Sequence, residues 1–300
     1  MRRAAPCFAL ALFALLAAPA AGRAALEEAL AAHPDAERLR ALWQEGLALE
    51  REQDDLAGAA ARFEELARAL PEEAEPLWRL ARLEWRRAER LPAERKEARL
   101  AGFRAAEQRA RASLARDERC AECRFWLAAA LGRITTTQGV LQSVRLVPVI
   151  AELLKEAIAL RPTHRDGPDD TTLGNLYHFS AAFYRLVPEW IWLSWVLGVR
   201  GDKERSVEYS RRAVAISPGR LDYQVELGAG LLCLGTSRGR AELIEEGAEV
   251  LRHSQSLAPF AEARIDMVLA QVLLEQPERA CSYARDGWIE IEEGDVTAGG

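Results

Sequence analysis

The chain has 300 residues, 49% of them hydrophobic and 29% charged, and its 46 acidic against 40 basic residues give a formal net charge of −6. This balance excludes an intrinsically disordered chain, and the negative charge excludes a protein that coats nucleic acid. The length suits either about two average domains or one elongated repeat array.

The N-terminus has the pattern of a secretory signal peptide. Arginines at positions 2 and 3 precede an apolar run over residues 8–18, and the sequence APA at 18–20 offers a cleavage site between small residues. The run is shorter than the roughly 18 residues that span a bilayer, so we expect removal and not anchoring. We therefore predict a signal peptide over residues 1–20, export to the bacterial periplasm, and a mature protein without a transmembrane span.

Beyond residue 20, Ala and Leu dominate, strand-like alternation is missing, and Pro and Gly interrupt the chain at long intervals. The first interval carries residue types that helix–turn–helix repeats of about 34 residues place at fixed positions: Trp43, Ala59, Phe63, Leu66 and Pro71. Similar spacings of small and large residues recur later in the chain. Each recurrence precedes a residue that we expect to end the second helix of a pair, and we call these stop residues: Asp117, Pro162, Pro218 and Pro259. Small residues let two antiparallel helices approach closely, and a proline ends the second helix.

This pattern resembles the tetratricopeptide repeat (TPR) family over most of the mature chain. The resemblance implies an all-α fold in which stacked helix pairs form an α-solenoid. We expect a degenerate repeat domain over residues 21–291 and a flexible tail over 292–300. The domain should contain about six antiparallel helix pairs, at 36–69, 74–116, 121–161, 171–217, 221–257 and 260–290.

Two apolar insertions depart from the family pattern. They separate the helices of the third and fourth pairs, at residues 134–149 and 186–202. Equivalent loops of a stacked array fall along the same edge, so we expect both insertions to roof one mouth of the superhelix.

A narrower resemblance covers about residues 120–235. The helix CRFWLAAALGR, the apolar insertion and the segment GDKERSVEYSRRAVAISP are similar to exported TPR proteins. Among these are the T-component (TatT) of TPR-associated tripartite transporters and relatives of the regulator of microtubule dynamics proteins. Similarity to TatT implies a periplasmic protein that partners a solute-binding protein and offers a path to an apolar ligand. TatT proteins are typically lipoproteins, whereas this chain has no lipobox.

The second insertion contains three tryptophans within six residues, Trp190, Trp192 and Trp195. Their number exceeds what one loop can bury in itself. They are candidates for a lid over a ligand, a partner interface or a membrane-interface wedge. The alternative is that the insertion packs into the protein's own core.

The cysteines leave a structural question open. Cys120 and Cys123 have the spacing of a possible disulfide in an exported protein, or they are packing residues. Neither lies in the strand-then-helix context of a thioredoxin-like enzyme. Cys233 suits a small core residue, and Cys233 and Cys281 lack nearby metal-ligand spacing. We therefore predict neither a metal site nor a cofactor.

Two charged segments are interpreted as solvated surface. The acidic loop HRDGPDD at 164–170 lacks the regularly spaced carboxylate ligands and the distal glutamate of a calcium-binding loop. We therefore expect a solvated loop between repeats. The arginine-rich stretch 86–124 alternates with glutamates at helical spacings, which indicates exposed faces with local ion pairs.

These observations predict an exported, non-catalytic TPR scaffold. It would bind a protein partner or an apolar ligand through its concave groove and the Trp-rich insertion. Tyr177, His178 and Arg145 are the polar candidates for contacts with that ligand or partner. The alternative function is a periplasmic accessory subunit of a TatT-like solute transporter. No convergent set of titratable residues points to an enzyme.

Overall fold

The structure, a computed structural model, describes residues 21–139, 144–285 and 287–288. The predicted signal peptide at 1–20 and the predicted tail at 292–300 lie outside the described residues. Within them, none of the helices is both long enough and apolar enough to cross a membrane.

The expected all-α solenoid is confirmed. A leading helix α1 (Ala21–Ala32), which the repeat pattern did not predict, comes before the first pair. The first three pairs are α2 (Ala36–Arg51) with α3 (Leu56–Ala69), α4 (Ala74–Glu89) with α5 (Lys96–Leu114), and α6 (Ala121–Gln138) with α7 (Leu146–Ala159). In the fourth pair, a short helix α9 (Ile191–Val196) stands between α8 (Thr172–Leu186) and α10 (Lys203–Ile216). The fifth pair is α11 (Leu221–Arg238) with α12 (Ala241–Ser254).

Small residues lie where paired helices touch. A Cβ atom at Gly46 would lie 2.8 Å from the ring of Phe63, which joins α2 to α3. A Cβ at Gly228 would lie 2.5 Å from Leu251, which joins α11 to α12. Larger side chains at these positions would force the helices apart, so the small residues set the close antiparallel packing of each pair.

Side-chain caps begin several of the helices. The carboxylate of Asp55 accepts hydrogen bonds from the backbone N–H groups of Ala57 and Gly58 at the start of α3. Asp202 accepts from Arg205 at the start of α10 in the same way. Each cap satisfies an N–H group that the helix itself leaves without a partner.

The hydrophobic core is a row of clusters along the array, as expected for stacked repeats. Each cluster joins helices of neighbouring pairs. Their fully buried members include Trp43, Phe63 and Leu83 in the first cluster, Leu131, Ala157 and Leu176 in the second, and Val225, Leu251 and Leu273 in the third. The length of the protein therefore comes from repetition of one kind of packing and not from a second independent core.

The last predicted pair differs from expectation. A 3₁₀ turn (Ala261–Ala263) leads into α13 (Arg264–Glu275), but no second α-helix follows it in the described residues. Instead, the chain forms a 3₁₀ helix (Pro277–Ser282) and a hairpin of β1 (Tyr283–Ala284) and β2 (Gly287–Trp288). Pro277 lacks a backbone N–H and so ends α13, after which Tyr283 turns inward and is buried.

The first predicted insertion is shorter than expected. Helix α6 continues to Gln138, and α7 begins at Leu146, so most of residues 134–149 is helical. Ile134 packs with Leu100 and Phe103, which explains the apolar character of this stretch. The second insertion is confirmed as a separate segment that contains α9.

Two disulfides join cysteines of the described residues. Cys120 is bonded to Cys123 at the start of α6, with their Cα atoms 5.3 Å apart. Cys233 is bonded to Cys281, with Cα atoms 4.7 Å apart. Cys233 is fully buried in the core, as predicted, but its disulfide with Cys281 was not predicted. The reason is tertiary, because its partner lies 48 positions later, on the C-terminal 3₁₀ helix.

Candidate functional site

A cavity of about 830 Å³ lies on the inner side of the array. Helices α4, α6, α8 and α11, the first helices of four successive pairs, all contribute to its wall. The loop over residues 166–170 and the C-terminal segment at 283–285 complete it. The volume falls within the range of about 300–1,000 Å³ that is typical of small-molecule sites.

One wall of the cavity is apolar and rich in aromatic rings. On α6, the rings of Phe125 and Trp126 lie 4.8 Å apart. Phe125 also contacts Phe179 of α8, with the ring centres 6.4 Å apart, and Trp126 contacts Trp85 of α4 at 5.9 Å. These rings form a continuous apolar surface across three repeats.

Both predicted insertions add to this apolar wall. Val147 and Ile150 of α7 line the cavity next to the first, and Val187, Leu193 and Leu197 line it from the second. Leu193 anchors α9, since only 3% of its surface is exposed. The two segments thus border the same cavity, as the sequence predicted.

The cavity also has a charged wall, which includes a row of arginines on α4, the helix that carries Trp85. Arg86 contacts Glu50, Asp54 and Glu262 at 3.4, 3.1 and 2.9 Å. Arg90 contacts the same Asp54 and Glu262. The prediction of solvated faces over residues 86–124 holds for local pairs such as Arg111 with Glu107.

For Arg86 and Arg90 that prediction was wrong, because their partners come from other repeats. Burial alone would raise the pKa of Glu262, but the positive charges and hydrogen bonds of Arg86 and Arg90 outweigh it and lower that pKa.

The acidic loop at 164–170 was predicted to be solvated, and this holds only for part of it: Asp169 is exposed, whereas the side chains of His164 and Asp166 are buried. The side chain of Asp166 is only 7% exposed and pairs with Arg51, Arg79 and Arg82. His164 of the same loop lies 3.2 Å from it. Burial alone would raise the pKa of Asp166, but the charges of Arg82 and Arg79 lower it far below its usual range. Asp166 therefore fastens the loop to α4.

A buried ion pair between Arg185 and Glu226 also lies in the cavity lining. The guanidinium of Arg185 donates to both carboxylate oxygens of Glu226 at 2.8 Å, and also to the backbone carbonyls of Ala280 and Tyr283. All its contacts are buried. Arg185 thus holds the C-terminal segment against the array.

Three side chains that line the cavity carry buried polar atoms without a hydrogen-bond partner in the described part of the chain. They are Oε2 of Glu50, which still lies 3.7 Å from the guanidinium of Arg79, and the uncharged atoms Nε1 of Trp85 and Nδ1 of His178. His178 stacks on Tyr223 with ring centres 5.1 Å apart, and its Nε2 lies 4.0 Å from a carboxylate oxygen of Asp222. Of the residues predicted as ligand contacts, His178 is the one that lines the cavity.

We call helix α9, whose Leu193 faces the cavity, the lid, and the three tryptophans on it and just before it do not line the cavity. Trp190 and Trp192 are half-buried and stacked on each other, with ring centres 5.8 Å apart. Trp195 is 82% exposed. The insertion therefore divides its residues between the cavity, which Leu193 faces, and the surface, where Trp195 stands.

The other two polar candidates also lie away from the cavity. Tyr177 is half-buried and stacks on Tyr209 of α10, with ring centres 5.6 Å apart. Arg145 is exposed just before α7. The described residues bring neither of them together with His178.

The aromatic wall and the arginine row were not predicted from the sequence. The sequence does contain a pattern for both, because residues on the inner face of each first helix recur every three or four positions. On α4 these are Arg82, Trp85, Arg86 and Glu89, and on α6 they are Phe125, Ala129, Gly132 and Arg133. Which face of each helix points inward was not evident from these spacings alone. The described residues contain no group of His, Cys, Asp or Glu side chains that could hold a metal ion.

Comparisons with known proteins agree with this architecture. A family model described as regulator of microtubule dynamics protein 1-3 matches residues 42–166, which overlaps only part of the stretch that carried the narrower resemblance. No curated protein matches the chain.

Solved structures are similar over most of the chain. The thermophilic TPR protein TTC0263 of Thermus thermophilus has 16% identity and a TM-score of 0.53, over 78% of this chain and 100% of its own. MamA of Desulfovibrio magneticus RS-1 has 15% identity and a TM-score of 0.40, over 72% of this chain and 96% of its own. The paired antiparallel helices, the small residues at their contacts and the likeness to TTC0263 show that this chain has the fold of the tetratricopeptide repeat proteins.

Proposed function

We propose that this protein is an exported, non-catalytic binding protein that holds an apolar small molecule in its inner cavity. The observation that carries the proposal is the continuous aromatic wall of Phe125, Trp126 and Phe179, which faces about 830 Å³ of space under α9. Burying an apolar molecule against this wall removes apolar surface from water on both sides, which is favourable.

The charged wall supports a binding role over a catalytic one. A catalytic acid, base or nucleophile has to be available to its substrate. The arginines that line the cavity are instead engaged in ion pairs with carboxylates: Arg51, Arg82, Arg86, Arg133, Arg185, Arg220 and Arg285. We interpret this wall as the frame that holds the repeats around the ligand.

Export is supported by two independent features. The first is the signal-peptide pattern of residues 1–20. The second is the pair of disulfides, Cys120 with Cys123 and Cys233 with Cys281, because such bonds persist mainly in oxidising compartments. Mass spectrometry of the protein from a periplasmic fraction, after thiol alkylation with and without reductant, tests this. Recovery of the protein with four alkylated cysteines before reduction would contradict it.

Ligand binding is tested with the uncharged fluorophore N-phenylnaphthylamine. We expect saturable binding with one site per chain. Ala182 lines the cavity, so Ala182→Trp should fill the space and weaken binding at least tenfold. The matched control is Ala241→Trp on the exposed start of α12, which should bind as the wild type does. Equal affinity of both variants would place the probe outside the cavity and contradict the proposal.

A second candidate function is favoured by the exposed face of the lid. Ile191, Trp195 and Val196 are 63%, 82% and 70% exposed, although all three are apolar and lie on one short helix. Such a surface suits docking of a protein partner. We propose, as the alternative, an accessory subunit of a TatT-like solute transporter, whose solute-binding protein docks on α9 and exchanges ligand with the cavity.

The docking surface is tested by affinity purification from the native envelope, followed by mass spectrometry of proteins and lipids. Trp195→Ser should lose the partner and keep the helical circular dichroism signal. Val268→Ser, on another exposed apolar side chain of α13, is the control and should retain the partner. Recovery of the same solute-binding protein with both variants would exclude α9 as its docking site.

A further inference from the structure

We infer that the cavity selects an apolar ligand with an uncharged hydrogen-bonding head, of the hydroxyl or ester class, and that Trp85 and His178 bind this head. The inference rests on the proposed ligand-binding function and specifies its ligand. It follows from which polar atoms of the cavity wall already have partners and which do not.

Trp85 supplies an unpaired donor. Its ring belongs to the aromatic wall, in contact with Trp126 at 5.9 Å and Phe103 at 6.4 Å. Its Nε1–H is buried and has no acceptor among the described residues. Because an indole N–H can only donate, it calls for an acceptor oxygen on the ligand. A buried donor left without a partner costs free energy, so a ligand oxygen that accepts from this N–H would bind more tightly than an apolar group at the same place.

His178 supplies an unpaired acceptor at the border between the apolar and the charged wall. Burial is the main influence on its pKa and lowers it, so the ring is neutral near pH 7. The carboxylate of Asp222, 4.0 Å from Nε2, favours the tautomer with the proton on that nitrogen. Nδ1 then presents its lone pair without a donor in the described residues, and it calls for an O–H or N–H group.

The charged groups around these two atoms leave no vacancy for an ionic head. An anion would need a free guanidinium, whereas Arg220 already binds Asp222 at 2.7 Å and Arg185 binds Glu226 at 2.8 Å. A cation would need a buried carboxylate without positive charges around it, whereas Glu50 faces three arginines, although its Oε2 accepts no hydrogen bond. A charged head would thus have to break an existing buried pair, which is costly. The uncharged atoms of Trp85 and His178 carry no such cost.

The test compares four probes with the same twelve-carbon chain: glycerol monododecanoate, dodecanoate, dodecylammonium and dodecane. Each displaces N-phenylnaphthylamine from the full chain, exported and purified. We expect glycerol monododecanoate to bind the most tightly. Trp85→Phe and His178→Phe keep a ring at each position, and each should weaken this probe by roughly two- to tenfold and weaken dodecane by clearly less.

Trp195→Phe and His253→Phe are the matched controls, since both residues are exposed and lie outside the cavity lining. Neither should change any affinity. Tighter binding of dodecanoate or dodecylammonium, or an equal loss of dodecane in the two cavity variants, overturns the inference and leaves the apolar cavity in place. If none of the four probes displaces the fluorophore, both the inference and the proposed function are wrong.

Discussion

At the scale of single residues, Asp166 shows how one side chain holds distant parts of the chain together. It belongs to a loop after α7 but binds Arg79 and Arg82 on α4 and Arg51 at the end of α2. Arg79 is itself fully buried, and its guanidinium lies over the ring of Trp43 at 4.8 Å. Removing the carboxylate would leave buried positive charges without compensation.

We predict that Asp166→Asn lowers the free energy of unfolding by roughly 3 kcal/mol. Asp169 in the same loop is exposed, so Asp169→Asn is the matched control and should change stability by less than about 0.5 kcal/mol. Urea unfolding followed by circular dichroism measures both. Similar small effects of the two substitutions would mean that the pairs around Asp166 do not stabilise the fold.

At the scale of elements, α9 has six residues and is too short to be stable by itself. Its position therefore depends on tertiary contacts, chiefly the burial of Leu193 against the cavity. The exposed Trp195 contributes little to that position. The two faces of the helix thus have separate roles.

We predict that Leu193→Ala lowers the free energy of unfolding by about 2 kcal/mol and weakens N-phenylnaphthylamine binding, since it removes buried apolar surface from the lid. Trp195→Ala should leave both quantities close to the wild type. Urea unfolding and fluorescence titration of both variants check this. An intact affinity in Leu193→Ala would show that the lid does not contribute to the cavity.

The C-terminal segment is a second element whose position depends on tertiary contacts. Arg185 and Glu226 are both buried, and Arg185 also binds the carbonyls of Ala280 and Tyr283. We predict that Arg185→Met destabilises the protein by roughly 3–5 kcal/mol, because Glu226 is left as an unpaired buried charge. The double variant with Glu226→Gln should recover part of this loss. A thermal unfolding cycle of wild type, singles and double measures the coupling, and simple additivity would contradict it.

At the scale of the whole molecule, ion pairs link the second helix pair to the C-terminal part of the array. In a simple solenoid each repeat contacts only its neighbours. Here Arg86 on α4 binds Glu262, which is 176 positions away, and Arg285 in the C-terminal segment lies 3.6 Å from Glu89. These pairs cross the inner side and close the array around the cavity.

These cross-array pairs predict a dependence of stability on pH. The pKa of Glu262 is lowered in the folded state, so its contribution is present above the unfolded pKa of about 4 and is lost as the pH falls through the folded value. We predict that Glu262→Gln costs roughly 2 kcal/mol at pH 7 and that this difference shrinks below pH ~4. Exposed Glu249→Gln is the control. A difference that is constant between pH 7 and pH 3 in urea unfolding would contradict the prediction.

The sequence predicted the repeat architecture well, because its signals are local. The spacing of Ala59, Phe63, Leu66 and Pro71 reflects contacts between residues three or four positions apart and the end of a helix. The same holds for the later stop residues. The apolar second insertion was also evident, since hydrophobic residues are concentrated there and do not follow the spacing of the repeat.

The cavity and its charged wall were decided by the tertiary structure. Arg86 has glutamates nearby in sequence, yet it binds Glu50 at a separation of 36 and Glu262 at a separation of 176. The disulfide partner of Cys233 lies 48 positions away. Local spacing determines which residues form helices and which face is apolar. How the stacked pairs curve determines which distant charges meet, and that geometry places part of the arginine-rich stretch, which was predicted to be solvated, in the wall of the cavity.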